Sequence, residues 1–239
     1  MENERNAQAA AQPAEEKKPV EEKKPGYPMH KRKYTPLYTI IVFLYGLLVK
    51  LLFFMKIEGR ENVPKDRNCI LMGNHQCLLD PVTLALCVPD REIHFMGKKE
   101  LFENKALGWV FRQVHGFPVD RGNMDMGAIR TAMGVLKEGE TLGIFPEGTR
   151  NKTDDLMLPF KEGSFKMAEK TGCAIVPMAI TGSADILENH FPKVKATHVI
   201  LEYGKPIYPN ELDKETKKKI GAHCQGVIEE MLVKNEKLQ

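Results

Sequence analysis

Short apolar runs alternate with stretches of helical period along most of the chain. Cys69-Ile70-Leu71-Met72 is an unbroken apolar run of strand length, which predicts a strand buried on both faces. Ile93–Met96, Thr141–Phe145, Ala174–Ile180 and His198–Tyr203 predict further strands. Between these, Pro81–Cys87, Leu107–Val114, Gly127–Lys137 and Gly163–Thr171 carry the spacing of amphipathic helices. Asp80 stands where it can cap the first of them, with Pro81 at the first helical position. Gly172 stands where a glycine ends the last. Asn210 is expected to cap a C-terminal helix that places Ile220, Cys224, Val227, Ile228 and Met231 on one face. Strands alternating with helices predict an α/β sheet with flanking helices and functional groups at the strand ends.

The first 56 residues follow other rules. In residues 1–33 the segment Glu15-Glu16-Lys17-Lys18-Pro19 recurs as Glu21-Glu22-Lys23-Lys24-Pro25. Such a charged tail has almost nothing to bury, so it is expected to be a disordered tether or spacer. Leu37–Met55 is an apolar run of 19 residues, interrupted by Lys50. That is close to the roughly 20 residues a bilayer-spanning helix needs. Its flanks are basic on both sides, with His30, Lys31, Arg32 and Lys33 before it and Lys56, Arg60, Lys65 and Arg67 after. A single crossing would put the rest of the chain outside the cell. Basic residues at both ends fit a helix or helical hairpin that dips into one leaflet, with Lys50 snorkelling. A buried core helix is the alternative. The division expected is a tail over 1–33, a membrane-associating helical segment over 34–56 and an α/β domain over 57–239.

A net charge of +3 is too mild for a nucleic-acid binder. Five cysteines, without a Cys-x-x-Cys, argue against a disulfide framework or zinc site and for a reducing compartment. Cys69, Cys87 and Cys173 lie among apolar residues and read as small buried hydrophobes. The first apolar run begins too late for a cleavable signal.

Two motifs carry the chemistry. The first is Asn74-His75-Gln76-Cys77-Leu78-Leu79-Asp80, opening directly from the Cys69–Met72 strand. Imidazole titrates near neutrality and can accept a proton there. A carboxylate on one ring nitrogen would fix the tautomer, leaving the other nitrogen as general base. Five residues on a regular helix subtend about 140°, so a bend must bring His75 and Asp80 together. The alternative is a structural histidine beside a capping aspartate. No Gly-x-Ser-x-Gly occurs and Cys77 has no activating arrangement, so the hydroxyl to be activated belongs to a substrate.

The second motif is Phe145-Pro146-Glu147-Gly148-Thr149-Arg150. Thr149 stands where a nucleotide P-loop requires lysine, so that reading fails. A strand-end loop with Glu147 and Arg150 remains. Arg150 can grip a phosphate through two hydrogen bonds, or it can pair with Glu147 across the turn. Arg121 ends Gly116-Phe117-Pro118-Val119-Asp120-Arg121, and Lys98 and Lys99 follow the Ile93–Met96 strand. These cations can converge on one anion.

In order and composition these blocks resemble the bacterial-type 1-acyl-sn-glycerol-3-phosphate acyltransferases, within the wider glycerolipid acyltransferase family. The resemblance runs from about Ile57 to Leu212 and includes Val176-Pro177-Met178-Ala179-Ile180 as a fourth block. It implies an α/β acyltransferase domain behind an N-terminal helical pair that docks on the membrane. It implies that His75 is the base and Asp80 its partner. Lys98, Arg121 and Arg150 would hold the acceptor phosphate, with Gly148 and Thr149 in the same substrate loop. Glu147 would orient the acceptor, and the fourth block would line the acyl-chain side. The implied acceptor is lysophosphatidate in the membrane, and the donor acyl-CoA or acyl-carrier protein. No metal, cofactor or nucleic acid is implied, and the place of action is the cytoplasmic face of the membrane. Glycerol-3-phosphate or another lysophospholipid is the nearer alternative acceptor. A catalytically silent lipid-binding protein is the more distant alternative.

Overall fold

The computed structural model describes residues 53–88, 91–120, 122 and 125–238, with Pro36, Thr39, Ile40, Phe43, Leu44, Gly46 and Leu47 as isolated helical positions ahead of them. The charged tail and most of the apolar segment lie outside the described residues. Among the described residues, no helix is long and apolar enough to cross a membrane.

Seven strands form one sheet: β1 (Phe53–Glu58), β2 (Cys69–Gly73), β3 (Ile93–Lys98), β4 (Gly116–Val119), β5 (Thr141–Ile144), β6 (Ala174–Thr181) and β7 (Thr197–Tyr203). Their order across the sheet is β1-β7-β6-β2-β5-β3-β4. Every neighbouring pair is parallel except β6 and β7. The carboxyl ends of β6, β2, β5, β3 and β4 therefore share one edge, the usual place for a site in such sheets.

The helices are α1 (Asp80–Cys87), α2 (Lys99–Glu103), α3 (Lys105–Gln113), α4 (Met126–Lys137), α5 (Gly163–Thr171), α6 (Lys214–Lys218) and α7 (Ile220–Glu236). Alternation along β2 decides what covers each face. Cys69 and Leu71 pack with Leu84 and Cys87 of α1, whereas Ile70 and Met72 pack with Leu136 of α4, Phe165 of α5 and Cys224 of α7. All four β2 side chains are fully buried, so Leu71→Ala would cost about 2–5 kcal/mol.

Three expectations are corrected. Phe53-Phe54-Met55 does not extend an N-terminal helix. It opens β1, paired in parallel with Thr197–Val199, because alternating large side chains suit a half-covered edge strand. Asp80 is the first residue of α1 rather than its cap, and Leu79 holds the cap position. The carboxylate of Asp80 is taken up instead by the turn before the helix. Asn210 caps neither C-terminal helix: α6 is capped by Asp213, whose side chain accepts from the N–H groups of Glu215 and Thr216, and α7, which carries Ile220 to Met231, follows Lys219 with no side-chain cap.

Candidate active site

His75 follows β2 directly, and the chain then turns sharply through Gln76–Leu79 into α1. The turn is organised by Asp80. Its Oδ2 accepts from the N–H groups of Gln76 at 2.9 Å and Cys77 at 2.8 Å, and lies 2.8 Å from His75 Nδ1. This is the bend that brings together two residues a straight helix would hold apart. Asp80 is fully buried and the His75 side chain is 11% exposed. The imidazole stacks on Phe145 with centroids 4.3 Å apart. Upstream, the side chain of Asn74 donates to Ile180 O at 2.9 Å and accepts from Ile180 N–H at 2.8 Å, which locks the end of β2 to β6.

The second motif holds the first by its main chain. His75 N–H donates to Glu147 Oε1 at 2.6 Å, and Asn151 N–H donates to His75 O at 2.7 Å. Glu147 Oε2 accepts from Leu158 N–H at 2.8 Å. Glu147 is thus buried with both oxygens engaged by backbone, and burial raises its pKa above the usual carboxylate value. It does not face the cleft. The expectation that it orients the acceptor gives way to a bracing role on His75. The turn closes with Gly148 N–H donating to Phe145 O at 3.0 Å, and Gly148 adopts φ 72°, a conformation that favours glycine.

A cleft of about 590 Å³ opens beside His75. Pro81, Val82, Ala85, Phe95, Leu101 and Phe111 give it an apolar wall. Lys98, Arg150 and Lys161 line it as well, together with Gly148 and Thr149. Among the described lining residues there is no carboxylate, so the cleft favours an anion. Gly143 makes room for Phe95 in that wall: a Cβ on it would collide with the Phe95 ring.

Arg150 pairs with Glu188, not Glu147, at 2.6 Å. Glu188 Oε1 also accepts from Leu78 N–H at 2.8 Å. Burial would raise the Glu188 pKa, but hydrogen bonds from Cys77, Leu78 N–H and Arg150 outweigh it and hold the carboxyl below its usual range. Lys98 lies 3.3 Å from Glu100 at the cleft rim. Arg121 lies outside the described residues; its neighbour Asp120 pairs with Lys99 at 2.7 Å. Lys161 and Glu188 are site residues that sequence reasoning missed. Lys161 reaches the cleft because its N–H bonds Pro146 O at 2.9 Å, folding its segment over the turn. The fourth block does not line the cleft. Val176, Met178, Ala179 and Ile180 are wholly buried within β6.

All five cysteines are free and buried. Burial pushes the Cys77 thiol far above its ordinary value, so it is no nucleophile at neutral pH. The arrangement offers one oriented imidazole, a cationic rim and an apolar wall, and it suits proton abstraction from a hydroxyl on an amphipathic anion.

A family model described as Acyltransferase matches residues 54–181, from β1 through the end of β6. The chain belongs to the Acyltransferase family. Its acyltransferase domain is 37% identical over 154 residues to the 1-acyl-sn-glycerol-3-phosphate acyltransferase of Bacillus subtilis (strain 168), spanning 64% of this chain and 74% of that protein. The similarity to the enzyme of the same name from Streptococcus pneumoniae (strain ATCC BAA-255 / R6) is 31% over 178 residues, covering 72% of this chain and 64% of that one. The crystal structure of the 1-acyl-sn-glycerophosphate (LPA) acyltransferase PlsC from Thermotoga maritima matches with a TM-score of 0.71 at 28% identity. It covers 83% of this chain and 79% of that one.

Proposed function

We propose that this acyltransferase moves an acyl group from an acyl thioester, acyl-CoA or acyl-carrier protein, to the sn-2 hydroxyl of 1-acyl-glycerol-3-phosphate, giving phosphatidate. The observation that carries this reading is the 2.8 Å His75–Asp80 pair beside a cleft that is apolar along one wall and cationic at its rim. With Nδ1 committed to Asp80, His75 Nε2 takes the proton of the acceptor hydroxyl. The oxygen attacks the thioester carbonyl. Collapse of the tetrahedral adduct breaks the carbon–sulfur bond, and the departing thiolate takes the proton back from His75. Asp80 stabilises the imidazolium in between. Lys98, Arg121, Arg150 and Lys161 hold the acceptor phosphate, and the apolar wall takes an acyl chain. The names of the bacterial relatives support the acceptor.

The protein works at the cytoplasmic face of the membrane, docked by its N-terminal segment. Ile40, Phe43, Leu44 and Leu47 support this: they recur at helical spacing and are 48–69% exposed.

The test uses purified protein in detergent, labelled acyl-CoA, and lysophosphatidate, glycerol-3-phosphate and lysophosphatidylcholine as acceptors, with acyl-carrier protein as a competing donor. Labelled phosphatidate from lysophosphatidate is expected. Transfer to glycerol-3-phosphate alone would move the acceptor assignment, and transfer to none would leave a lipid-binding protein.

A further inference from the structure

A second cluster of titratable side chains lies outside the cleft lining. Glu92 immediately precedes β3, His94 is the second residue of β3, and His115 immediately precedes β4. One ligating atom from each lies within 4.8 Å of the other two. His115 Nε2 is 3.5 Å from Glu92 Oε2, and the rings of His94 and His115 have centroids 5.0 Å apart. The His115 and Glu92 side chains are only 15% and 11% exposed. Two imidazoles and a carboxylate are a common donor set for zinc, whose bonds of about 2.0–2.1 Å put neighbouring ligand atoms roughly 3.4 Å apart. The Glu92–His115 pair already has that separation, and a His94 ring nitrogen lies within 4.8 Å of both partners.

The backbone points the same way. His115 has φ 60° and is, among the described residues, the only non-glycine with positive φ. That conformation is disfavoured for a residue with a Cβ and persists where surrounding contacts impose it. Here the N–H of His115 donates to Arg112 O and its carbonyl accepts from Phe95 N–H, both at 3.2 Å. The result is a ring turned onto Glu92 and His94. Burial, with His115 adding to it, holds the His94 pKa down to about 4, and burial lowers that of His115.

We propose that Glu92, His94 and His115 form a binding site for one divalent transition-metal ion of the zinc class, with water completing the coordination. The ion clamps the amino ends of β3 and β4. The carboxyl ends of the same two strands lead to Lys98 and Asp120. Acyl transfer at His75 needs no metal, so the site stands apart from the chemistry proposed above.

The test uses the full-length protein in detergent, stripped with chelator and titrated with Zn²⁺ alone and with Co²⁺ alone. One equivalent of Zn²⁺ bound in the micromolar range, a rise in Tm with Zn²⁺, and a nitrogen–oxygen type Co²⁺ visible spectrum are expected. Glu92→Gln should weaken binding by about 10-fold or more. His94→Gln and His115→Gly should abolish it. His115→Gly keeps the fold testable, because glycine accepts positive φ without strain. Absence of stoichiometric binding to the wild type overturns the proposal. So does wild-type affinity in both histidine variants, or a cobalt–thiolate charge-transfer band placing the ion on cysteine.

Discussion

The backbone N–H of His75 donates to the Glu147 carboxylate at 2.6 Å, so the two sequence motifs meet through the main chain of one and the side chain of the other. Glu147 spends its second oxygen on Leu158 N–H, so its carboxylate braces the main chain at His75. Glu147→Gln offers one acceptor oxygen to two backbone donors, leaving one of them facing an amide NH₂. The turnover rate should fall about 10-fold or more while the acceptor KM barely moves. Steady-state kinetics separates this from acceptor contact, for which KM would rise and kcat would hold.

Glu147 and Glu188 should bend the pH–stability curve in opposite senses. Burial raises the Glu147 pKa above 4.5, so the folded state binds more protons than the unfolded one over the window just above that value. Its contribution to stability therefore falls as pH rises through 4.5. The Glu188 pKa is lowered below 4.5 by its hydrogen bonds and Arg150, against an opposing burial effect. Its contribution is present above 4.5 and lost as pH falls through the folded value. Denaturant titrations across this range should show Glu147→Gln steepening the gain in stability with pH and Glu188→Gln flattening the acid-side loss.

What was legible in the sequence was local. The all-apolar Cys69–Met72 strand, the Gly172 helix end and the His75–Asp80 pair all rest on spacings of a few residues. What was not legible depended on distant chain or on neighbours masking a boundary. β1 was hidden as the last residues of a longer apolar run, and only pairing with β7 makes it a strand. β4 carries Gly116 and Pro118, which weaken any strand signal, and it survives at the sheet edge beside β3. Arg150 finds Glu188 across 38 residues, although Glu147 stood three residues away. The family resemblance implies that Glu147 orients the acceptor, and nothing in the sequence itself contradicts that. Two backbone donors explain its burial, and no sequence pattern announces them.

The cationic rim should act on the acceptor. Arg150→Ala and Lys161→Ala each remove one cation from the cleft, and each should raise the KM for the phosphorylated acceptor about 10-fold or more with little change in donor KM. Arg150→Lys should recover only part, lacking the planar fork. Arg121→Ala belongs in the same series. Unchanged acceptor KM in all of these variants would place the phosphate elsewhere.

Truncations should distinguish the apolar segment from the strand that follows it. Removing residues 1–52 leaves β1 whole and should release the protein from vesicles while its Tm is kept. Removing residues 1–56 also takes Phe53–Lys56, which pair with Thr197–Ile200, and should lower Tm. Removing only residues 1–30 should change neither vesicle binding nor Tm. Vesicle sedimentation and thermal unfolding read both effects. Equal Tm for the 1–52 and 1–56 deletions would mean that β1 contributes nothing to the sheet.

Asp80→Asn tests the orientation of the base. The amide can still accept from Gln76 and Cys77, but the pairing with His75 then favours the wrong tautomer. A severe loss of turnover with the fold retained by circular dichroism is expected. Activity close to wild type would leave Asp80 as a purely structural residue.

The most direct measurement is the single-turnover rate of acyl transfer to lysophosphatidate by His75→Ala, with circular dichroism confirming the fold. The rate should fall by about 100-fold or more, the lower range for loss of a general base. A folded His75→Ala protein that transfers the acyl group at close to the wild-type rate would contradict the account.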